Sequence, residues 1–329
     1  MRDIDKHSTL YYTVRSALAL CTNLEILYLH TDPSVARIML GACTFRLKIF
    51  SIVDPSEDLA TVFLSHQESL QELVIVRGAL TPLYLPKHAL PNLTRFSGIP
   101  ENVVRICQGR RLRTLRILPG PALLNLGDTL SKIDPLSISS LCEFHVLVTG
   151  SVLHHVTVIA QLLPSLSNIV IRYYQQEVLF GALGMVLSTF TNLREFTMLS
   201  LNVQAPMTAI ALDSEYSLVM FHYEQCPTLH VIVLRSICWV YVKRDDQTYW
   251  SPQMDDLSVG KMWDDHVNER AVMSTRMAED TLRLTERELS EDSSSDYVSI
   301  ELDNMSEASD YGDEVAARRV QVEGTTSGM

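Results

Sequence analysis

Thr191-Asn192-Leu193-Arg194-Glu195-Phe196-Thr197-Met198-Leu199 is the stretch whose reading decides the fold. It reads as a short turn running into a short strand. Side chains alternate along a strand, so Leu193, Phe196 and Met198 belong to the buried side. With Leu193 as position zero, the template is a small polar residue just before it and apolar residues at zero, plus three and plus five. Full matches begin at Leu24, Leu70, Leu112, Leu141, Leu166, Leu193 and Leu229. Weaker copies sit at Thr44 (with Leu47 and Ile49) and at Leu93 (with Phe96, then Gly98).

The flanks make the pattern more specific than the apolar triplet. Asn23, Ser69, Asn92, Ser140, Ser165, Asn192 and Thr228 fill the position before the Leu. Pro91, Pro164 and Pro227 lie one residue earlier, and an apolar residue stands at minus three in Cys21, Leu90, Ile138, Leu163, Phe190 and Cys226. A turn followed by a half-buried strand at intervals of roughly 20–30 residues is the signature of leucine-rich repeats. One such unit cannot bury its apolar face alone, whereas stacked units share a continuous core. The expected fold is therefore α/β: an irregular leucine-rich-repeat solenoid, with a parallel sheet on its concave side and helices or loops on its convex side. The irregularity is expected because plus eight, where an Asn or Cys usually ties the turns, holds residues such as Asp32, Gly78, Tyr174 and Leu201.

Charge divides the chain. Net charge is -12, and residues 251–329 hold 7 Lys+Arg against 19 Asp+Glu, which accounts for all of it. Residues 1–250 are neutral, which argues against a dedicated nucleic-acid binder, since that needs a basic surface. None of the 6 Cys forms a C-x-x-C pair, so zinc and redox sites lack support. The N-terminus has no apolar signal region, and the longest apolar stretch, Leu229 to Val242, carries Arg235 and is too short to span a bilayer. The expectation is a cytoplasmic or nuclear protein without membrane contact.

Four regions are expected. Residues 1–20 form an N-terminal capping helix, legible from 8 to 20. Residues 21–250 form the solenoid with a terminal cap, built from Ser236–Val242 and a return at Tyr249-Trp250. Residues 251–290 are a linker with a solvated helix over 261–290. Residues 291–329 are acidic and Ser-rich, and bury too little apolar surface to offset their ordering entropy, so they are expected to be disordered. Between the strands, 33–40, 100–107, 151–163, 177–190 and 213–225 read as helices.

No motif proposes catalysis, a cofactor or a metal. His154-His155 are adjacent, so on a helix they point apart, and they read as a surface pair. Arg110-Arg111-Leu112-Arg113-Thr114-Leu115-Arg116 reads as solvent-facing charges between buried leucines. Strand alternation is more informative. With plus three and plus five buried, plus four and plus six face the open sheet surface. Those positions include four Lys/Arg, two His and no acid. Tyr28, His30, Lys48, Phe50, Arg116, His145, Arg172 and Arg235 are the candidate partner-binding residues. A face of mixed apolar and basic character suits a protein partner with an acidic or phosphorylated segment.

The phrases Cys21-Thr-Asn-Leu-Glu-Ile-Leu27, Leu90-Pro-Asn-Leu93, Arg111-Leu-Arg-Thr-Leu-Arg-Ile117 and Cys226-Pro-Thr-Leu229, with the aromatic close Trp239 to Trp250, resemble the leucine-rich-repeat region of fungal F-box-like proteins. The resemblance covers about residues 10–250. It implies a non-enzymatic substrate-recognition part of a ubiquitin-ligase adaptor, in which F-box helices bind a Skp-type adaptor and the repeats hold the substrate. The first repeat begins by Leu24, so the resemblance is expected to extend to the repeats and not to an F-box, and a Skp-type adaptor is an expected partner only if a missing F-box exists. A scaffolding solenoid without ligase coupling is the alternative expectation, and an enzyme with no recognisable motif, its residues assembled from distant loops, is the third.

Overall fold

The structure, a computed structural model, describes residues 3–53, 55–56, 59, 62–76, 83–120, 125–174, 180–201, 209–234, 237–244 and 247–253. The expected helix over 261–290, the disordered tail from 291 and Arg235 lie outside the described residues. Helix α1 (Asp3–Leu20) leads into strand β1 (Ile26–Leu29). Strands β2 (Ile49–Ile52), β3 (Glu72–Ile75), β4 (Arg95–Gly98), β5 (Thr114–Ile117), β6 (Glu143–Val148), β7 (Asn168–Tyr173), β8 (Glu195–Ser200) and β9 (Val231–Leu234) follow in order. Each is parallel to the one before it. Strands β10 (Ile237–Arg244) and β11 (Gln247–Gln253) close the series as an antiparallel hairpin on β9. The result is an open, solenoid-like mixed α/β fold with one 11-stranded, mostly parallel sheet in strict chain order.

Helices α2 (Pro33–Leu40), α3 (Pro100–Ile106), α4 (Leu126–Ser131), α5 (Pro135–Ser139), α6 (Val152–Leu162), α7 (Phe180–Leu187) and α8 (Ala209–Gln225) fill the crossovers. Their starts are locally encoded. Asp32 and Asp134 each cap a helix whose first residue is proline, accepting hydrogen bonds from the Ser34 and Leu136 amides at 2.9 Å. Proline suits that place because its missing N–H would be unsatisfied there anyway. The helices α4 and α5 have no counterpart in the sequence reading; at 6 and 5 residues they are too short for a periodic apolar signal.

Backbone bonding sets the register without ambiguity. In each repeat the carbonyl at plus one accepts from the amides at plus one and plus two of the next. Glu25 accepts from Lys48 and Ile49, Lys48 from Gln71 and Glu72, and so on to Arg194 with His230 and Val231. The second repeat therefore starts at Leu47, not Thr44. Leu24, Leu47, Leu70 and Leu93 then fall at equal intervals of 23 residues. Arg46 stands where most other repeats have a small polar residue, which hides this start in the sequence. The turn is instead held from a distance. The buried Gln67 side chain accepts from the Leu47 amide at 2.8 Å and donates to the Phe45 carbonyl at 3.2 Å.

With the register corrected, the plus-three row runs Leu27, Phe50, Leu73, Phe96, Leu115, Phe144, Ile169, Phe196, Ile232. Aliphatic and aromatic residues alternate strand by strand. Neighbouring strands lie about 4.8 Å apart, which is too close for rings side by side in every strand, so alternation fills the core evenly. The row is fully buried except at Leu27, and it joins residues from every described helix from α2 to α8 in one apolar core. At β4 the ring of Phe96 takes the place of a plus-five side chain. A Cβ added to Gly98 would come within 2.7 Å of that ring.

The minus-one residues tie the repeats together. Ser69 donates to the Leu47 carbonyl at 3.0 Å, Ser140 to that of Leu112 at 2.9 Å and Thr228 to that of Leu193 at 2.6 Å. Each hydroxyl reaches position zero of the preceding repeat. A ladder at minus one thus serves where the residues at plus eight cannot.

Candidate functional site

The open sheet face, opposite the helices, is where the exposed strand residues gather. Tyr28 and His30 are exposed at its β1 end. Lys48 and Phe50 are corrected by the register shift. Phe50 is fully buried in the plus-three row. Lys48 occupies plus one and pairs with Glu25 at 2.7 Å. Arg110, read as solvent-facing, is also buried. It donates to the carbonyls of Pro86, Ala89 and Ile106, and so fastens the end of α3 to the segment before β4. Of the two histidines at 154–155, only His154 is exposed; His155 is buried and donates from Nδ1 to the Ser151 carbonyl at 2.8 Å.

The plus-two row also borders this face, and it carries acids that the plus-four and plus-six rows lack. Each is engaged by a neighbour. Glu72 pairs with Arg95 at 3.0 Å, and Glu195 accepts from Asn168. Glu143 accepts from Thr114 Oγ1 at 2.9 Å and from His145 Nε2.

Arg116, His145 and Arg172 are brought together. Arg116 and His145 are register partners on β5 and β6, and Arg172 stands on β7 opposite Leu147. All three line a cavity of about 250 Å³ whose wall also includes Leu118, Leu147 and Leu201. Arg172 is exposed, Arg116 and His145 are half-buried, and Arg116 Nε is buried without a hydrogen-bond partner among the described residues. Burial pushes the Glu143 carboxyl up. The hydrogen bonds from His145 and Thr114, and the charges of His145 and Arg116, outweigh that and hold it below its usual range. Burial pulls the His145 imidazole down; the Glu143 hydrogen bond opposes this, but Arg116 and Arg172 reinforce it, and the net is a lowered pKa. The arrangement at neutral pH is a charged carboxylate, a neutral imidazole with its proton on Nε2, and two guanidinium groups. Such a wall can hold an anion by charge-assisted hydrogen bonds.

A larger cavity, about 400 Å³, lies between α2 and the turn Leu64–His66, lined by Arg37, Cys43, Phe63 and His66 among others. Two of its polar groups are engaged within the fold: His66 Nδ1 is bonded to the Val62 carbonyl at 2.6 Å, and Gln67 holds the second repeat. Among the described residues no group of three His, Cys, Asp or Glu is placed to hold a metal, and no helix is long and apolar enough to cross a membrane. Alternation alone located Arg116, His145 and Arg172. Alternation puts plus two, and so Glu143, on the same side as plus four and plus six; its role was not legible because the bonds to His145 and Thr114 depend on side-chain geometry that alternation does not give. No protein-family model matches the chain, and no curated protein matches it.

Proposed function

We propose that this protein is a non-enzymatic interaction module of the leucine-rich-repeat kind, whose open sheet face holds an acidic or phosphorylated segment of a partner protein. The observation that carries the reading is the pair Arg116 and Arg172 about one cavity, with Arg116 Nε buried and lacking an acceptor. A buried donor without a partner is unfavourable, and an incoming anion relieves it. Repeat solenoids commonly present their sheet face to partners, which supports the same assignment.

The resemblance to F-box-like proteins supports a place as the substrate-recognition part of a ubiquitin-ligase adaptor. Two measurements separate the layers of this reading. Binding of acidic and phosphorylated peptide pools to the full chain should weaken about 10-fold or more in Arg172→Ala, the expected loss of one charge-assisted contact; unchanged binding would sink the face assignment. Mixing the purified chain with a Skp-type adaptor tests the ligase link. Complex formation would support ligase coupling through these residues themselves; without it, what stands for them is a scaffolding solenoid with the same binding face.

A further inference from the structure

We infer that the cavity at the carboxyl ends of β5–β8 takes a single carboxylate carried beside a bulky apolar side chain, in preference to a phosphate. The inference rests on the open face being the partner-binding surface. Two features of the wall set the chemistry. Arg116 and Arg172 offer two guanidinium groups, one with a buried donor that no atom of the described residues satisfies. Apart from His145, the rest of the wall is apolar, with Leu118, Pro119, Leu147, Val170 and Leu201. An anionic group arriving here must bring an apolar body with it, and a volume of about 250 Å³ accommodates one large side chain rather than an extended segment.

Charge balance selects among anions. The charged and titratable groups facing His145 are Arg116 on β5, Glu143 on its own strand and Arg172 on β7; Thr114 on β5 adds a neutral hydroxyl. Two cations stand against one carboxylate, and His145 is neutral because its Nε2 proton is given to Glu143 while burial and both arginines oppose further protonation. One extra positive charge is left, and a carboxylate cancels it. A phosphate dianion would overshoot, leaving a second negative charge beside Glu143 unless His145, or the phosphate itself with its second pKa of about 6, took up a proton. The two ligands therefore differ in proton linkage: carboxylate affinity is flat between about pH 8 and 6, whereas phosphate affinity rises as pH falls toward about 6, where the imidazole or the phosphate takes up the compensating proton.

The test uses the full chain and degenerate peptide pools read by fluorescence anisotropy. One pool ends in Leu with a free terminal carboxylate, one carries an internal Leu-Glu with an amidated terminus, and one carries internal Leu-phosphoserine, also amidated. The expected result is that a carboxylate pool binds at least about 10-fold more tightly than the phosphoserine pool, is insensitive to pH over that range, and is weakened about 10-fold or more by Arg172→Ala. Preference between the two carboxylate pools identifies the source, a chain terminus or a Glu side chain. Arg172 is exposed, so its removal leaves the fold intact; Arg116→Gln is the second variant. Tighter binding of the phosphoserine pool, strengthening at acid pH, would overturn the carboxylate assignment and leave the partner face standing. Binding that ignores both arginine variants, or no binding by any pool, would overturn both.

Discussion

His222 on α8 shows what one residue can decide. Its side chain is fully buried, packed near Phe180 and Phe221, and neither ring nitrogen has a hydrogen-bond partner. Burial pushes its pKa from 6.5 down to about 4. The sign follows from linkage. Below pH 6.5 the unfolded chain binds a proton that the native state refuses until about pH 4, so the native state loses stability as pH falls through that window. Between about pH 7 and 5 the wild-type chain should lose about 2 kcal/mol more than His222→Leu, measured by urea unfolding at both pH values. An equal loss in both proteins would mean that His222 does not titrate as its burial implies. Gly184 belongs to the same contact. A Cβ there would come within 2.3 Å of the Phe221 ring, so glycine is what lets α7 approach α8. None of this was readable beforehand, because a buried histidine and a surface one look alike in a helical stretch.

At the scale of one repeat, the polar residue before each leading Leu was legible and its purpose was not. Its spacing marked a turn. Only the stacked structure shows the hydroxyl reaching the previous repeat's carbonyl, as Ser69 does to Leu47 and Thr228 to Leu193. Each such bond contributes about 1 kcal/mol net, so Ser69→Ala and Thr228→Val should each lower unfolding stability by roughly that amount. The two sites lie far apart in the stack and share no partner, so the double variant should lose the sum. Denaturant titration of the three variants checks this; a double loss well beyond the sum would show that the ladder acts as a cooperative unit. The second repeat makes the complementary point. Its turn rests on Gln67, 20 residues along the chain from Leu47, and a local template could not anticipate it.

At the scale of the molecule, the two ends of the sheet are finished differently. The hairpin β10–β11 covers one end with Trp239 and Trp250, both fully buried. Tyr223 on α8 stacks on Tyr241 at 4.9 Å and meets Trp250 edge-on at 5.6 Å, and Trp239 Nε1 donates to the buried Glu215 at 3.0 Å. At the other end β1 pairs only with β2; Leu27 and Leu29 are half-buried, and Ile26 and Tyr28 are exposed. Stability in stacked repeats is close to a sum of nearest-neighbour terms, so of the two edge strands β1, whose apolar row is half-buried and not covered by buried rings, should open first. Hydrogen exchange of the full chain should give β1 amides opening free energies well below those of β5–β8, which should approach the global value. Uniform protection from β1 to β9 would count against a stack with independent ends.

What the sequence determined by itself was the repeating element and its inward side. Leu, Phe and Ile at plus three and plus five can be buried only on one face of a strand, and that local rule needs no knowledge of neighbours. It also marked Arg116, His145 and Arg172 as facing the other way. Which residues share a row, and which meet in a cavity, was decided by the tertiary structure. Register depends on hydrogen bonds between residues far apart in the chain, such as those of Arg194 with His230 and of Thr94 with Arg113. A shift of three residues in one repeat moved Phe50 from the face to the core. The charge state of the candidate site was likewise tertiary, because it arises from Glu143, His145 and two arginines that only three adjacent strands bring together.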